Sequence, residues 1–375
     1  MRTRSALTAA VTGIGIAGAV AASRRADREA ARRFYEWSGS TEQSPEVDGI
    51  RSRYPVYVNH VELFGSLHAA DLGAVSSALP SEEIRPVRLP DGRAVVSIGG
   101  LHYRDITMAE FEGAWFPYGE VVVAPLVTRR AAPPIVPLAG FGVPMPNAWR
   151  AGMFYLLVPV THRWTRDAGW TAGFPKFVAD LEFEEGVAVR EVRAAEGGRS
   201  ILSLRVPIEG DVHVGRQPML GYTAHDGKLL EFETRAFAYE RLGLGGRGVS
   251  LELGDHPVAS RIRELGLAEQ AFGSISWVSG RVIIPQGREV GTARTIDRYR
   301  GEDRWFGRYT IHYPGTAPVD QYAWLTREGI ERAVVRGGGR PLDAYAALDV
   351  ELGTLRALRF PAAAEEHLAG PVTAG

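Results

Sequence analysis

Of the 43 basic residues in this chain, 41 are arginine; the two lysines are Lys176 and Lys228. Where guanidinium carries the surface charge, a retained amine invites a chemical explanation. An amine can shed its proton and attack a carbonyl to form an imine, whereas guanidinium stays protonated. Lys176 sits in Gly173-Phe174-Pro175-Lys176-Phe177, downstream of Trp164 and Trp170. These aromatic neighbours disfavour the ammonium form by desolvation, so Lys176 is expected to be a nucleophile with Trp170, Phe174 and Phe177 lining its substrate site. The plainer alternative is a lysine that snorkels from a strand end. Arg216, in Gly215-Arg216-Gln217-Pro218, is a candidate to meet a substrate anion or else to pair with a surface acid.

Other chemistries find little support. The nine histidines are scattered, and neither a His-Glu-x-x-His helix nor another metal-ligand spacing occurs. No Gly-x-Ser-x-Gly elbow is present. The absence of cysteine excludes disulfides, thiolate nucleophiles and Cys-ligated zinc. A net charge of −1, with no long basic run in the body, argues against nucleic acid as a partner.

The elements that must position Lys176 read as short strands. Tyr54–Val58, Val61–Phe64, Arg93–Gly99, Glu120–Val127, Met153–Val160, Val178–Phe183, Val187–Val192, Ser200–Val206, Leu229–Tyr239 and Ser274–Ile284 are β-prone and separated by Gly, Pro and Asp turns. This spacing predicts a mainly β, antiparallel barrel or sandwich rather than a βαβ sheet. Two helices interrupt it. One runs from an Asp71 cap to Leu79 and stops at Pro80; the other is capped by Asp255, with Pro257 in its first turn. Residues 129–150, with five prolines, are expected to form a long loop able to cover a site.

The chain divides at changes of composition. Residues 1–22 hold a charge-free Ala/Gly/Val/Ile run, and 23–48 form a charged helix and linker. Residues 49–290 make up the β-rich body, and 291–375 are a C-terminal extension without a motif. The first run is long enough to cross a bilayer, and the arginines after it favour a retained anchor with the body on the cytoplasmic side. A cleaved export signal, giving an exported soluble form, is the second expectation. Gly13-Ile14-Gly15-Ile16-Ala17-Gly18 matches the dinucleotide fingerprint in letters but lacks the preceding strand that motif requires.

With the strand pattern and Phe174-Pro175-Lys176 in place, residues 54–286 resemble the acetoacetate decarboxylase family. The landmarks are Asp71 through Leu79-Pro80, Tyr118-Gly119-Glu120, Phe174-Pro175-Lys176, Gln217-Pro218-Met219-Leu220 leading to Asp226-Gly227, and Trp277 through Ile283-Ile284-Pro285. The resemblance implies an antiparallel β-barrel, assembly into homo-oligomers, an imine-forming lysine at Lys176 and a catalytic glutamate at Glu120. It also implies a small keto acid or ketone as substrate, and decarboxylation or related aldol or dehydration chemistry without a cofactor. A catalytically silent ligand-binding or assembly module of the same fold is the alternative. Three positions depart from the family pattern: Phe177 stands where a second lysine is expected, Val61 where an arginine is expected to meet the substrate carboxylate, and Gly99 where a second acid is expected. Depression of the amine pKa then falls to burial or to Arg163 and Arg166. Arg216, Arg51 or Arg53 would have to replace the anchor.

Overall fold

Strands whose side chains alternate between two apolar environments dominate the computed structural model, which describes residues 42–44, 52–108, 117–131 and 151–323. In chain order these residues begin with β1 (Glu42–Gln43), β2 (Arg53–Tyr54), β3 (Val56–Ala70), α1 (Leu72–Ala78), β4 (Ile84–Pro86), β5 (Ala94–Met108) and β6 (Tyr118–Arg129). There follow β7 (Gly152–Phe154), β8 (Val158–Val160), α2 (Arg163–Thr171), β9 (Lys176–Val178), β10 (Asp180–Glu185), β11 (Val189–Glu196) and β12 (Arg199–Pro207). The remainder are β13 (His213–His225), β14 (Lys228–Leu244), β15 (Ser250–Leu253), α3 (Pro257–Arg263), β16 (Ala271–Ile284), β17 (Arg288–Thr292), β18 (Tyr309–His312) and β19 (Val319–Asp320).

The expected barrel is present. Strands β5, β3, β16, β14, β13, β7 and β6 pair in that order, and β6 pairs again with β5, closing a seven-stranded ring. All its neighbours are antiparallel except β13 and β7. Closure satisfies the strand edges within the ring. A spur leaves it at β6, where Glu120 pairs with Val160 of β8, and β9 runs parallel to β8 with Lys176 opposite Val158. A second sheet, ordered β15-β12-β11-β10-β18-β19, lies outside the barrel.

A side-chain period of two separates the two environments. Along β6, Tyr118, Glu120 and Val122 line the barrel interior, whereas Val121 and Val123 join the core between barrel and second sheet. That second core holds Phe64, Ile98, Phe183, Leu204 and Tyr309, each essentially fully buried. Gly119 lets the layers approach, because a Cβ there would stand 2.7 Å from the Phe183 ring. The stretch beyond 290 contributes to the same core through β18, which lies parallel to β10 and buries Tyr309 and Ile311.

Asp71 caps α1, its side chain accepting from the Ala74 amide at 2.7 Å, and the helix ends ahead of Pro80. The cap expected at Asp255 is corrected. His256 occupies the N-cap of α3, with Nδ1 accepting from the Val258 amide at 3.2 Å. Several elements had no sequence expectation, among them α2, β4, β13, β15, β17 and β18. In β13 the Gln217-Pro218 pair interrupts the strand pattern, and α2, only nine residues long, sets Gly169 among tryptophans and threonines, so Ala168 and its two arginines are its only strong helix formers. Of the loop expected at 129–150, Arg129 ends β6 and residues 132–150 lie outside the described residues, as do the first 41 residues and Arg51. The expectation of a membrane-associated protein is corrected: among the described residues, no helix is long and apolar enough to cross a membrane.

Candidate active site

Lys176 opens β9 after a turn that fixes its direction. Gly173 adopts a φ of +80°, a conformation that favours glycine, and the Phe174 amide bonds back to the Gly169 carbonyl at 2.9 Å. The Lys176 amide then donates to the Phe174 carbonyl at 2.9 Å, and the Trp170 indole N–H donates to the Lys176 carbonyl at 2.8 Å. The amine stem lies along α2 at Gly169, where a Cβ would stand 2.5 Å from Lys176 Cδ. A helix without a side chain at that position thus makes the channel for the lysine.

From there Nζ reaches Glu120 Oε2 at 2.7 Å. Both residues are buried, Lys176 at 8% exposure and Glu120 at 4%. Glu120 comes from the barrel wall through β6, and Lys176 comes from the spur, so the junction of β6, β8 and β9 brings the pair together. Such a short charge-assisted bond in low dielectric is strong, and it gives the proton of either group an immediate acceptor. Aromatic rings surround the pair. Nζ stands 5.6 Å from the Tyr118 centroid and 5.5 Å from that of Phe174. Tyr103 stacks on Tyr118 with centroids 4.4 Å apart, and its hydroxyl lies 3.5 Å from Glu120 Oε1. Burial, reinforced by the charge of Glu120, pushes both phenols well above their ordinary range, so they remain proton donors.

His162 caps α2, its Nδ1 accepting from the Thr165 amide at 3.2 Å. Burial first, and the positive charge of Lys176 second, push its imidazole down to about 3. A neutral ring beside the amine adds no competing cation.

The pair faces the barrel interior, a cavity of about 1000 Å³. Val61, Leu63, Leu101, Val122, Met153, Tyr155, Phe174, Phe232 and Trp277 are among its walls. The positions of Val61 and Gly99, where the family pattern has an arginine and an acid, both line it.

The predicted site residues therefore separate. Lys176, Glu120 and Phe174 line one cavity. Trp170 stands behind Lys176, holding its carbonyl and stacking under the Arg166 guanidinium at 4.5 Å. Phe177 points the other way: β9 alternates, and its ring packs in the second core against Tyr299, with centroids 4.9 Å apart. Arg216 lies on β13 in register with Phe237. Arg163 and Arg166 do not supply an uncompensated charge: they pair with Asp167 at 3.3 and 2.8 Å, and Arg163 also with Asp303 at 3.0 Å. The sequence reading missed Tyr103, Tyr118 and Gly169. The two tyrosines flank Glu120 on adjacent strands, Tyr118 two residues before it in a strand of period two, and that alternation was the available signal. Among the described residues, no group of three His, Asp or Glu side chains could hold a metal ion.

No family model matches the chain, and no curated protein matches it. Solved structures do align. A structure of acetoacetate decarboxylase aligns with 66% of this chain and 91% of its own at 12% identity and a TM-score of 0.47. Acetoacetate decarboxylase from Legionella pneumophila aligns with 64% of this chain and 88% of its own at 14% identity and a TM-score of 0.46. The enduracididine biosynthesis enzyme MppR, with HEPES buffer bound, aligns with 64% of this chain and 88% of its own at 12% identity and a TM-score of 0.46.

Proposed function

We propose that this protein is an enzyme that forms an imine between Lys176 and a carbonyl substrate, with Glu120 as the proton-handling partner. The observation that carries the proposal is the buried 2.7 Å contact between Nζ and Oε2 in the wall of a large barrel cavity. Proton transfer from the ammonium to Glu120 frees the nitrogen lone pair. The amine adds to the carbonyl carbon, and the resulting hydroxyl leaves as water on receiving the proton held by Glu120. The protonated imine then accepts the electron pair of a bond at the adjacent carbon. Loss of carbon dioxide, of a proton or of an aldehyde fragment all end in the same enamine. Protonation of the enamine carbon and addition of water return product and free amine.

Borohydride trapping tests this directly. Incubation with a panel of ketones and keto acids, followed by reduction, is expected to add the mass of one reduced carbonyl compound to the peptide holding Lys176. Lys228, exposed and paired with Glu289 at 2.9 Å, is an internal control for indiscriminate labelling. The competing reading is a silent binding barrel, in which the Lys176–Glu120 pair stays a closed salt bridge. It predicts no adduct on Lys176 with any member of the panel while control amines label.

A further inference from the structure

The cavity's own walls restrict what the amine can meet. Two cations line it among the described residues, Lys176 and Arg93. Lys176 is engaged by Glu120, and Arg93 pairs with Asp91 at 2.6 Å, both of that second pair being about half exposed. The third carboxylate in the lining, Glu240, accepts from the Trp277 indole at 3.1 Å and faces His213 at 3.2 Å. A substrate carboxylate would thus enter a chamber whose cations are already paired and whose fixed charges include three acids. Desolvating it there without a partner is strongly unfavourable.

The chamber is also long. On β3 alone, Val56, Val61, Leu63, Gly65, Leu67 and Ala69 all line it. At roughly 3.3 Å per residue and a strand tilt of roughly 40°, that stretch spans about 30 Å along the barrel axis. Lys176 does not sit at its end. Glu120 is level with Leu101, Leu101 with Leu63, and Leu63 with Trp277, so the pair opens near the middle of the lined length. Beyond it Gly65 and Gly99 face each other across the β3–β5 ladder. A Cβ at either would stand about 3 Å from a backbone carbonyl of the opposing strand, 2.9 Å at Gly65 and 3.0 Å at Gly99. This wall therefore stays free of side chains and leaves width for a ligand. A cavity of about 1000 Å³ lies at the top of the usual range for sites that enclose a ligand of many carbons, roughly 300 to 1000 Å³.

We infer that the site takes a carbonyl compound carrying an extended apolar substituent, not a small keto acid. The inference rests on the imine reading for its carbonyl and on the cavity for its apolar body, and the two parts can be tested separately. Methyl ketones from acetone to methyl nonyl ketone, with acetoacetate alongside, are trapped on the full-length protein with borohydride. Primary alcohols from butanol to decanol, which cannot form an imine, are titrated calorimetrically. Affinity is expected to rise up to about fourfold per added methylene in both series, with adducts on Lys176 in the ketone series alone. Acetone or acetoacetate labelling Lys176 as readily as the longest ketone, with a flat alcohol series, would overturn the apolar class and leave the imine intact. Rising alcohol affinity with no ketone adduct would sink the imine while upholding the apolar class. Neither binding nor labelling would remove both.

Discussion

The position of one proton between Lys176 and Glu120 governs whether the amine can react. Replacing Lys176 by Arg keeps a cation beside Glu120 but removes the group that can become neutral and nucleophilic. Adducts should then vanish at this peptide while the fold, followed by circular dichroism, persists. Glu120→Gln retains the size and a hydrogen-bonding head but cannot accept the proton. Trapping at neutral pH is expected to slow by about a hundredfold or more, the usual scale for losing a positioned acid or base. An unchanged rate would remove Glu120 from the proton path and leave it as a structural partner of the amine.

Helix α2 acts on the site by what it lacks. Its residue 169 is glycine, and the lysine stem occupies the space a side chain would fill. Because Lys176 is flexible, Gly169→Ala should displace the amine rather than disrupt the helix. Thermal stability is expected to hold or rise by up to about 1 kcal/mol, the helix-propensity difference, while trapping on Lys176 falls. Parallel losses of stability and trapping would instead mark position 169 as a packing residue. His162, at the other end of α2, makes an acid-sensitive cap. Its folded pKa of about 3 lies below the ordinary 6.5, so the unfolded chain binds this proton first. Stability should therefore decline as pH falls from about 6.5 toward about 3. His162→Asn keeps a capping side chain and should flatten that part of the curve, read as the unfolding midpoint across the pH range.

Across the whole molecule, a charged cluster joins barrel to second sheet. His102 Nε2 lies 2.6 Å from Glu185 Oε1, Arg190 Nε lies 2.9 Å from Glu185 Oε2, and His102 Nδ1 is 2.8 Å from the Tyr309 hydroxyl. Burial pushes the Glu185 carboxyl up, but the charges around it, chiefly His102, Arg190 and Arg104, outweigh this and hold it at about 2. Burial lowers His102, so near neutrality Arg190 and Arg104 supply the positive charge beside Glu185, and His102 adds its own only as the pH falls. A depressed carboxyl stabilises the fold above its ordinary value of 4.5, and that contribution is lost as pH falls toward 2. Glu185→Gln is expected to lower stability at neutral pH and to shrink the acid-induced loss in this window, followed by thermal unfolding. A variant with the same acid loss as the parent would show that other carboxylates govern it.

Local pattern along the chain carries only what acts over a few residues. Alternation and turns made the β class readable, Asp71 and Pro80 bounded a helix, and the scarcity of lysine singled out Lys176. Glu120 was reached through resemblance to a family, because nothing in a spacing of 56 residues announces a contact. Tertiary structure decided the rest. Closure of the ring and the β6–β8–β9 spur bring the amine to its carboxylate, and strand alternation turns Phe177 away from the cavity that Lys176 faces. Asp167 and Asp303 neutralise arginines that, read along the chain, looked available to tune the amine. The physical reason is one of range. Propensity and caps act over a few residues, whereas strand pairing, burial and charge compensation depend on segments that become neighbours only once the barrel has closed.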